Sequence, residues 1–142
     1  LGRVTLPRAA IHGDLFRDNV LFADGKVAGI IDFGFAATDA FAYDLAIAVN
    51  DWCSRPDGDL DRSLAHAFVE GYRRHRELTP DERAQWPALL RAAALRFWLS
   101  RLHDLHLPRP GELVHAHDPA GFERILVHRA DAAPELPGAR AA

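Results

Sequence analysis

The chain has 142 residues, 49% of them hydrophobic, and 17 Lys+Arg against 20 Asp+Glu give a formal net charge of −3. Its basic residues are scattered, which argues against a surface that tracks nucleic-acid phosphates, and no apolar run approaches the roughly 20 residues of a membrane span. Cys53 is the single cysteine, so no intrachain disulfide can form, and one cytoplasmic globular domain burying roughly two-thirds of its unfolded surface is expected.

Residues Ala9 to Ile11 form a short apolar entry, read as a strand end, feeding the polar loop His12-Gly13-Asp14-Leu15-Phe16-Arg17-Asp18-Asn19. Val20 to Phe22 and Lys26 to Ile31 are β-rich runs separated by Ala23-Asp24-Gly25, a hairpin signal. Antiparallel strands of similar length return to their starting side, so Asn19 and Asp32, at the two ends of the hairpin, should lie close together. Asp32 opens the segment Asp32-Phe33-Gly34.

Helical spacing of Phe41, Leu45, Ala48, Val49 and Trp52 predicts a helix from Asp39 to Cys53, with Asp39 as its cap. After a turn at Pro56-Asp57-Gly58, a second helix is expected over Leu60 to Arg76, with Leu64, Ala67, Phe68, Gly71 and Tyr72 as its apolar stripe. Thr79-Pro80-Asp81-Glu82 is a helix start: Thr79 caps, Pro80 fills the first turn and Glu82 reaches back. Trp86 to Leu107 is apolar on more than one face, which predicts a central buried helix bent at Pro87 and ended by Pro108-Arg109-Pro110-Gly111. Asp118-Pro119 opens a last helix to about Arg129, and 132–142 reads as a flexible tail. The fold class expected is α+β, mostly helical.

The loop fits the pattern His-x-Asp-Leu-x-x-x-Asn and the second segment fits Asp-Phe-Gly, which together carry what phosphoryl transfer needs. Positioning and charge neutralisation supply most of that catalysis. Asp14 would accept the proton of an attacking hydroxyl, while the Asn19 amide and Asp32 carboxylate would hold Mg²⁺, a hard cation that takes oxygen ligands. His12 is expected to hold the loop rather than move a proton, and Gly13 to permit close backbone approach. His115-x-His117, with His103 and His106, has no closed zinc-site spacing, so no zinc is expected.

On these motifs the chain resembles the carboxyl-terminal lobe of the aminoglycoside/choline phosphotransferase superfamily, the protein-kinase-like small-molecule kinases. The separations Asp14 to Asn19 and Asp14 to Asp32 match that catalytic core. The resemblance implies ATP as co-substrate and gives Asp44, within Tyr43-Asp44-Leu45-Ala46, the role of bracing the catalytic loop. Within the superfamily the chain is most similar to the bacterial homoserine kinases of this fold. The carrying stretches are His12 to Phe22, Tyr43 to Ala46, Val49 to Cys53, Leu95 to Leu102, and His106 to Gly111. Transfer of the ATP γ-phosphate to the homoserine hydroxyl, a step of threonine biosynthesis, is therefore implied. Phe16 stands where protein kinases usually carry a lysine, which argues for a small substrate.

Homoserine offers an ammonium and a carboxylate, so its site should present an acid, Asp51, and an arginine fork, Arg96 or Arg101. The alternative for the two arginines is a structural ion pair across the helices, and for Asp51 and Trp52 it is cap and core. An aminoglycoside or choline type of kinase is the alternative activity. A polycation would call for an acidic pocket, whereas Thr79 to His106 carries Asp81, Glu82 and Asp104 against Arg83, Arg91, Arg96 and Arg101. No glycine-rich loop, strand lysine, partner glutamate or adenine-binding hinge precedes His12, and the sequence has no methionine. The chain is accordingly expected to be a fragment lacking a nucleotide lobe, with 1–38 as catalytic loop and hairpin and 39–131 as helical subdomain. A non-catalytic interaction module is the reading from another class.

Overall fold

The computed structural model describes residues 5–107, 118–131 and 136. The expectations for Pro108 to Gly111, for His115 and His117, and for the tail fall outside these residues, apart from Leu136. The elements in order are β1 (Arg8–Ile11), β2 (Val20–Ala23), β3 (Lys26–Ile30), β4 (Ala37–Ala40), α1 (Phe41–Trp52), α2 (Arg62–Arg73), α3 (Pro80–His106) and α4 (Ala120–Asp131). The fold is thus α+β and mostly helical, and no described helix is long and apolar enough to cross a membrane.

The strands form two antiparallel pairs, β1 with β4 and β2 with β3. The hairpin turns through Asp24 and Gly25, both with positive φ (51° and 72°), as a two-residue connection matching the strand twist requires. Its closing pair is Val20 opposite Ile30, and the Ile31 amide donates to the Asn19 carbonyl at 3.0 Å. The two ends expected to converge do so.

The β1–β4 pair corrects the expected cap. Asp39 lies in β4 opposite Ala9, accepts a hydrogen bond from the Ala40 amide at 2.8 Å and sits 3.6 Å from Arg8. Helix α1 starts at Phe41, and Ala40 at its N-cap offers no side-chain bond. A four-residue strand without branched apolar residues other than Thr38 carries little local signal, and pairing with β1 decides it.

Helix α2 is shorter than expected because Leu60 pairs with Ser54 in a β-bridge and Asp61 takes the cap, accepting from the Leu64 amide at 3.0 Å. Its buried face is Ala65 and Val69, flanked by Phe68 and Tyr72, whereas Leu64 is 49% exposed, so the stripe is rotated from the expected one. The capping box at Thr79 and Glu82 is present, with bonds of 3.2 and 2.8 Å, and Arg76 donates twice to the fully buried Glu82 carboxylate. A single helix runs through Pro87. α3 packs against α1 on one side and α4 on the other through Trp86, Leu90, Ala93, Ala94 and Phe97, while Leu95, Leu99 and Leu105 remain exposed. Its burial is therefore partial. The core centres on α1, where Ala42 and Leu45 to Val49 are all buried, and each large aliphatic group there contributes about 1.5–3 kcal/mol.

Candidate active site

The loop between β1 and β2 is held from both sides. On one side the Asp44 carboxylate, in the first turn of α1, accepts from the His12 amide at 3.0 Å and the Gly13 amide at 2.8 Å. On the other, the Arg96 guanidinium reaches from α3 to donate to the Gly13 carbonyl at 2.6 Å, resting between the rings of Phe35 and Phe97. Gly13 has φ +76°, and a Cβ there would meet the Phe35 carbonyl oxygen at 2.6 Å. Glycine is required by both conformation and space.

His12 is buried and uses both ring nitrogens. Nε2–H donates to the Ile31 carbonyl at 2.9 Å, and Nδ1 accepts from the Asp14 amide at 3.2 Å, a network that assigns the neutral tautomer. Its ring also lies 4.7 Å from that of Phe33. The residue thus ties the loop to the strand end preceding Asp32, and its ring nitrogens are both engaged.

Asn19 donates from Nδ2 to the Asp14 carbonyl at 2.8 Å and to its carboxylate at 3.1 Å, which turns the amide oxygen away from Asp14. Asp32 has φ 59° and ψ 67°, the left-handed region, and among the described residues its carboxylate accepts one long bond of 3.4 Å, from the Gly34 amide. Asp14, Asn19 and Asp32 line one cleft of about 610 Å³. An amide oxygen and a largely uncommitted carboxylate are donors suited to a hard divalent cation. Burial raises the Asp14 pKa above its usual 3.8 and the Asp32 charge adds to this, against the Asn19 hydrogen bond and the Arg96 and His12 charges.

The other sequence candidates line the same cleft. Asp51, in the last turn of α1, accepts from the Arg17 amide at 2.8 Å and from Arg17 Nε at 3.2 Å. Next to it, Trp52 donates from Nε1 to the Leu15 carbonyl at 3.0 Å, so this turn clamps the second half of the loop. Among the described residues neither Arg96 nor Arg101 forms the structural ion pair considered above. Arg101 lies over the Phe122 ring at 4.4 Å and, among the described residues, makes a single long bond, 3.4 Å, to the Asp118 carbonyl. Burial lowers its pKa, opposed by the charges of Asp51, Asp118, Asp14 and Asp18.

Four further lining residues, Arg17, Asn50, Ser54 and Arg124, were not singled out from the sequence. Asn50 is fully buried and donates to the Leu90 carbonyl at 2.8 Å. Arg124 donates to the Pro56 carbonyl at 3.2 Å. Their partners are remote in sequence, so only Asn50, a polar residue inside an apolar helix run, carried a signal.

The model of the phosphotransferase enzyme family (APH) matches residues 2–78. A homoserine kinase from Methylobacillus flagellatus is 59% identical over 123 residues, covering 87% of this chain and 39% of the relative. Another from Polaromonas naphthalenivorans is 53% identical over 129 residues, covering 90% and 41%, and one from Neisseria meningitidis serogroup B is 48% identical over 122 residues, covering 86% and 40%. The chain therefore spans about two-fifths of the length of the curated relatives it matches. With the matched region containing the loop, the hairpin, the Asp-Phe-Gly segment and the Asp44 brace, the chain belongs to the phosphotransferase enzyme family.

Proposed function

We propose that this chain is the carboxyl-terminal lobe of an ATP-dependent kinase that converts homoserine to O-phosphohomoserine, a step of threonine biosynthesis. In this reading 1–38 is the catalytic loop and hairpin, 39–131 the helical substrate subdomain, and a nucleotide lobe lies elsewhere in the full protein. The observation that carries it is the convergence of Asp14, Asn19 and Asp32 on a cleft that also holds Asp51, Arg96 and Arg101. The lining contains as many aspartates as arginines, five of each, a balance that suits a zwitterion better than a polycationic aminoglycoside. Leu21, Phe22, Val27, Phe33 and Phe35 are all exposed around the hairpin, and such an apolar face is consistent with a second lobe seated there.

Asp14 accepts the proton of the substrate hydroxyl as its oxygen attacks the γ-phosphate, and Asn19 fixes the carboxylate that does so. Asn19 and Asp32 would hold Mg²⁺, which when bound neutralises charge on the phosphates. His12 and Asp44 act through the loop backbone. Asp51 and Arg101 take the substrate ammonium and carboxylate, with Arg96 adding positive charge beside Asp14.

The test is turnover of ATP by the complete gene product with homoserine, choline and an aminoglycoside. Homoserine is expected to give the highest kcat/KM, and equal or greater turnover of either competitor would reject the assignment.

A further inference from the structure

The wall of the cleft beyond Asp51 is backed by a buried guanidinium. Arg129, in the last turn of α4, is 1% exposed, and the three acceptors it meets among the described residues are neutral: Nε donates to Asn50 Oδ1 at 3.1 Å and the terminal nitrogens to the Gly58 carbonyl at 3.3 Å and Ser54 Oγ at 2.8 Å. Withdrawing a guanidinium from water is costly, and neutral acceptors compensate it less well than a carboxylate does. A neutral side chain would hold α4 to this turn with less desolvation. The Gly58 backbone already lies so close to α4 that a Cβ there would meet Arg124 at 2.6 Å.

The charge does have an outlet. Asn50 and Ser54 both line the cleft, while Arg129 stands behind them. The Asn50 amide is fixed between Arg129 and the Leu90 carbonyl. Ser54 accepts from Arg129 through Oγ and so keeps its own hydroxyl proton to donate, and a cation bonded to that oxygen makes the hydroxyl a stronger donor. Arg101 enters the same cleft and, among the described residues, has most of its donors uncommitted. A helical rise of about 1.5 Å per residue places it about 7.5 Å along α3 from Arg96, which touches the catalytic loop. That separation is the scale of a small amino acid whose hydroxyl is held at Asp14.

We propose that the Ser54 hydroxyl, polarised by buried Arg129, forms with Arg101 a subsite for the carboxylate of the phosphate-accepting substrate. Ser54 and Arg101 touch the carboxylate, and Arg129 acts through Ser54 as a positioning residue. This rests on the homoserine reading and adds the group that selects a carboxylate-bearing alcohol over the corresponding amino alcohol.

Ser54→Ala in the complete gene product removes the donor with little change to packing. The preference in kcat/KM for homoserine over 3-amino-1-propanol, which lacks only the carboxylate, is expected to fall about tenfold, the loss of one hydrogen bond to a charged group. Arg129→Gln is expected to lower the same preference and Arg129→Lys to restore part of it. An unchanged preference in Ser54→Ala overturns the subsite. Calorimetry with 4-hydroxybutyrate reads the subsite without turnover. Weaker binding to Ser54→Ala than to the unaltered protein supports it, and equal or absent binding to both rejects it. A protein that binds 4-hydroxybutyrate through Ser54 yet does not phosphorylate homoserine would overturn the kinase assignment and leave the carboxylate subsite standing.

Discussion

Helix α1 and the catalytic loop beside it are held by different forces. Along α1, Leu45 to Val49 are buried in the apolar core, with Asn50 adding bonds to the Leu90 carbonyl and Arg129. The loop has little core of its own beyond Phe16, which packs on Phe97 and Phe122. Its path is set by directional bonds: two loop amides donate to Asp44, the Gly13 carbonyl accepts from Arg96, the Leu15 carbonyl accepts from Trp52, and the Arg17 amide donates to Asp51. Apolar packing builds the scaffold, and polar bonds from that scaffold place the chemistry.

The sharpest way to separate the two is Asp14→Ala. Loss of the proposed base is expected to lower kcat by roughly 10²–10⁴-fold in the complete gene product, with an unchanged thermal midpoint. Near-normal turnover would remove Asp14 from that role. The unaltered protein should lose kcat as pH falls through the raised Asp14 pKa, since protonation disables the base, at a higher pH than an exposed aspartate would show.

A paired substitution tests the division between packing and bonding. Ile47→Ala, in the fully buried part of α1, is expected to lower unfolding free energy by about 2–5 kcal/mol in urea melts. Asp44→Ala strands two amide donors and is expected to cost less, about 1–3 kcal/mol, while speeding hydrogen exchange at His12 and Gly13 and lowering kcat. Equal effects on stability and exchange from both changes would erase the distinction.

The smallest effect belongs to Asp61, the α2 cap. The Leu64 amide holds its carboxyl below the usual 3.8, so the ionised form stabilises the fold. The folded-state value is the lower one, so this contribution is fully present above the usual 3.8 and is lost as pH falls below that and through the folded-state value. Asp61→Asn should lower the melting temperature slightly at neutral pH, with the gap closing on acidification.

Local features were legible in the sequence. The hairpin turn at Asp24-Gly25, the Thr79 and Glu82 capping box and the spacing of Asp14, Asn19 and Asp32 each depend on residues within a short segment. Features made by remote partners were not. The β1–β4 pairing moved Asp39 from cap to strand, and burial against the core chose Ala65 and Val69 over Leu64 on α2. The Asp51–Arg17 and Arg96–Gly13 contacts join residues 34 and 83 positions apart.

The sequence by itself determined which groups are available to the cleft and the order in which they enter the fold, because motif spacing, turn chemistry and caps act over a few residues. Only the tertiary structure decided what those groups face. The packing of α1, α3 and α4 sets Asp44 under the loop, Arg96 over it, and the Arg129 charge behind Ser54. Those relations come from the burial of apolar faces far apart in the chain, which no local pattern of residues encodes.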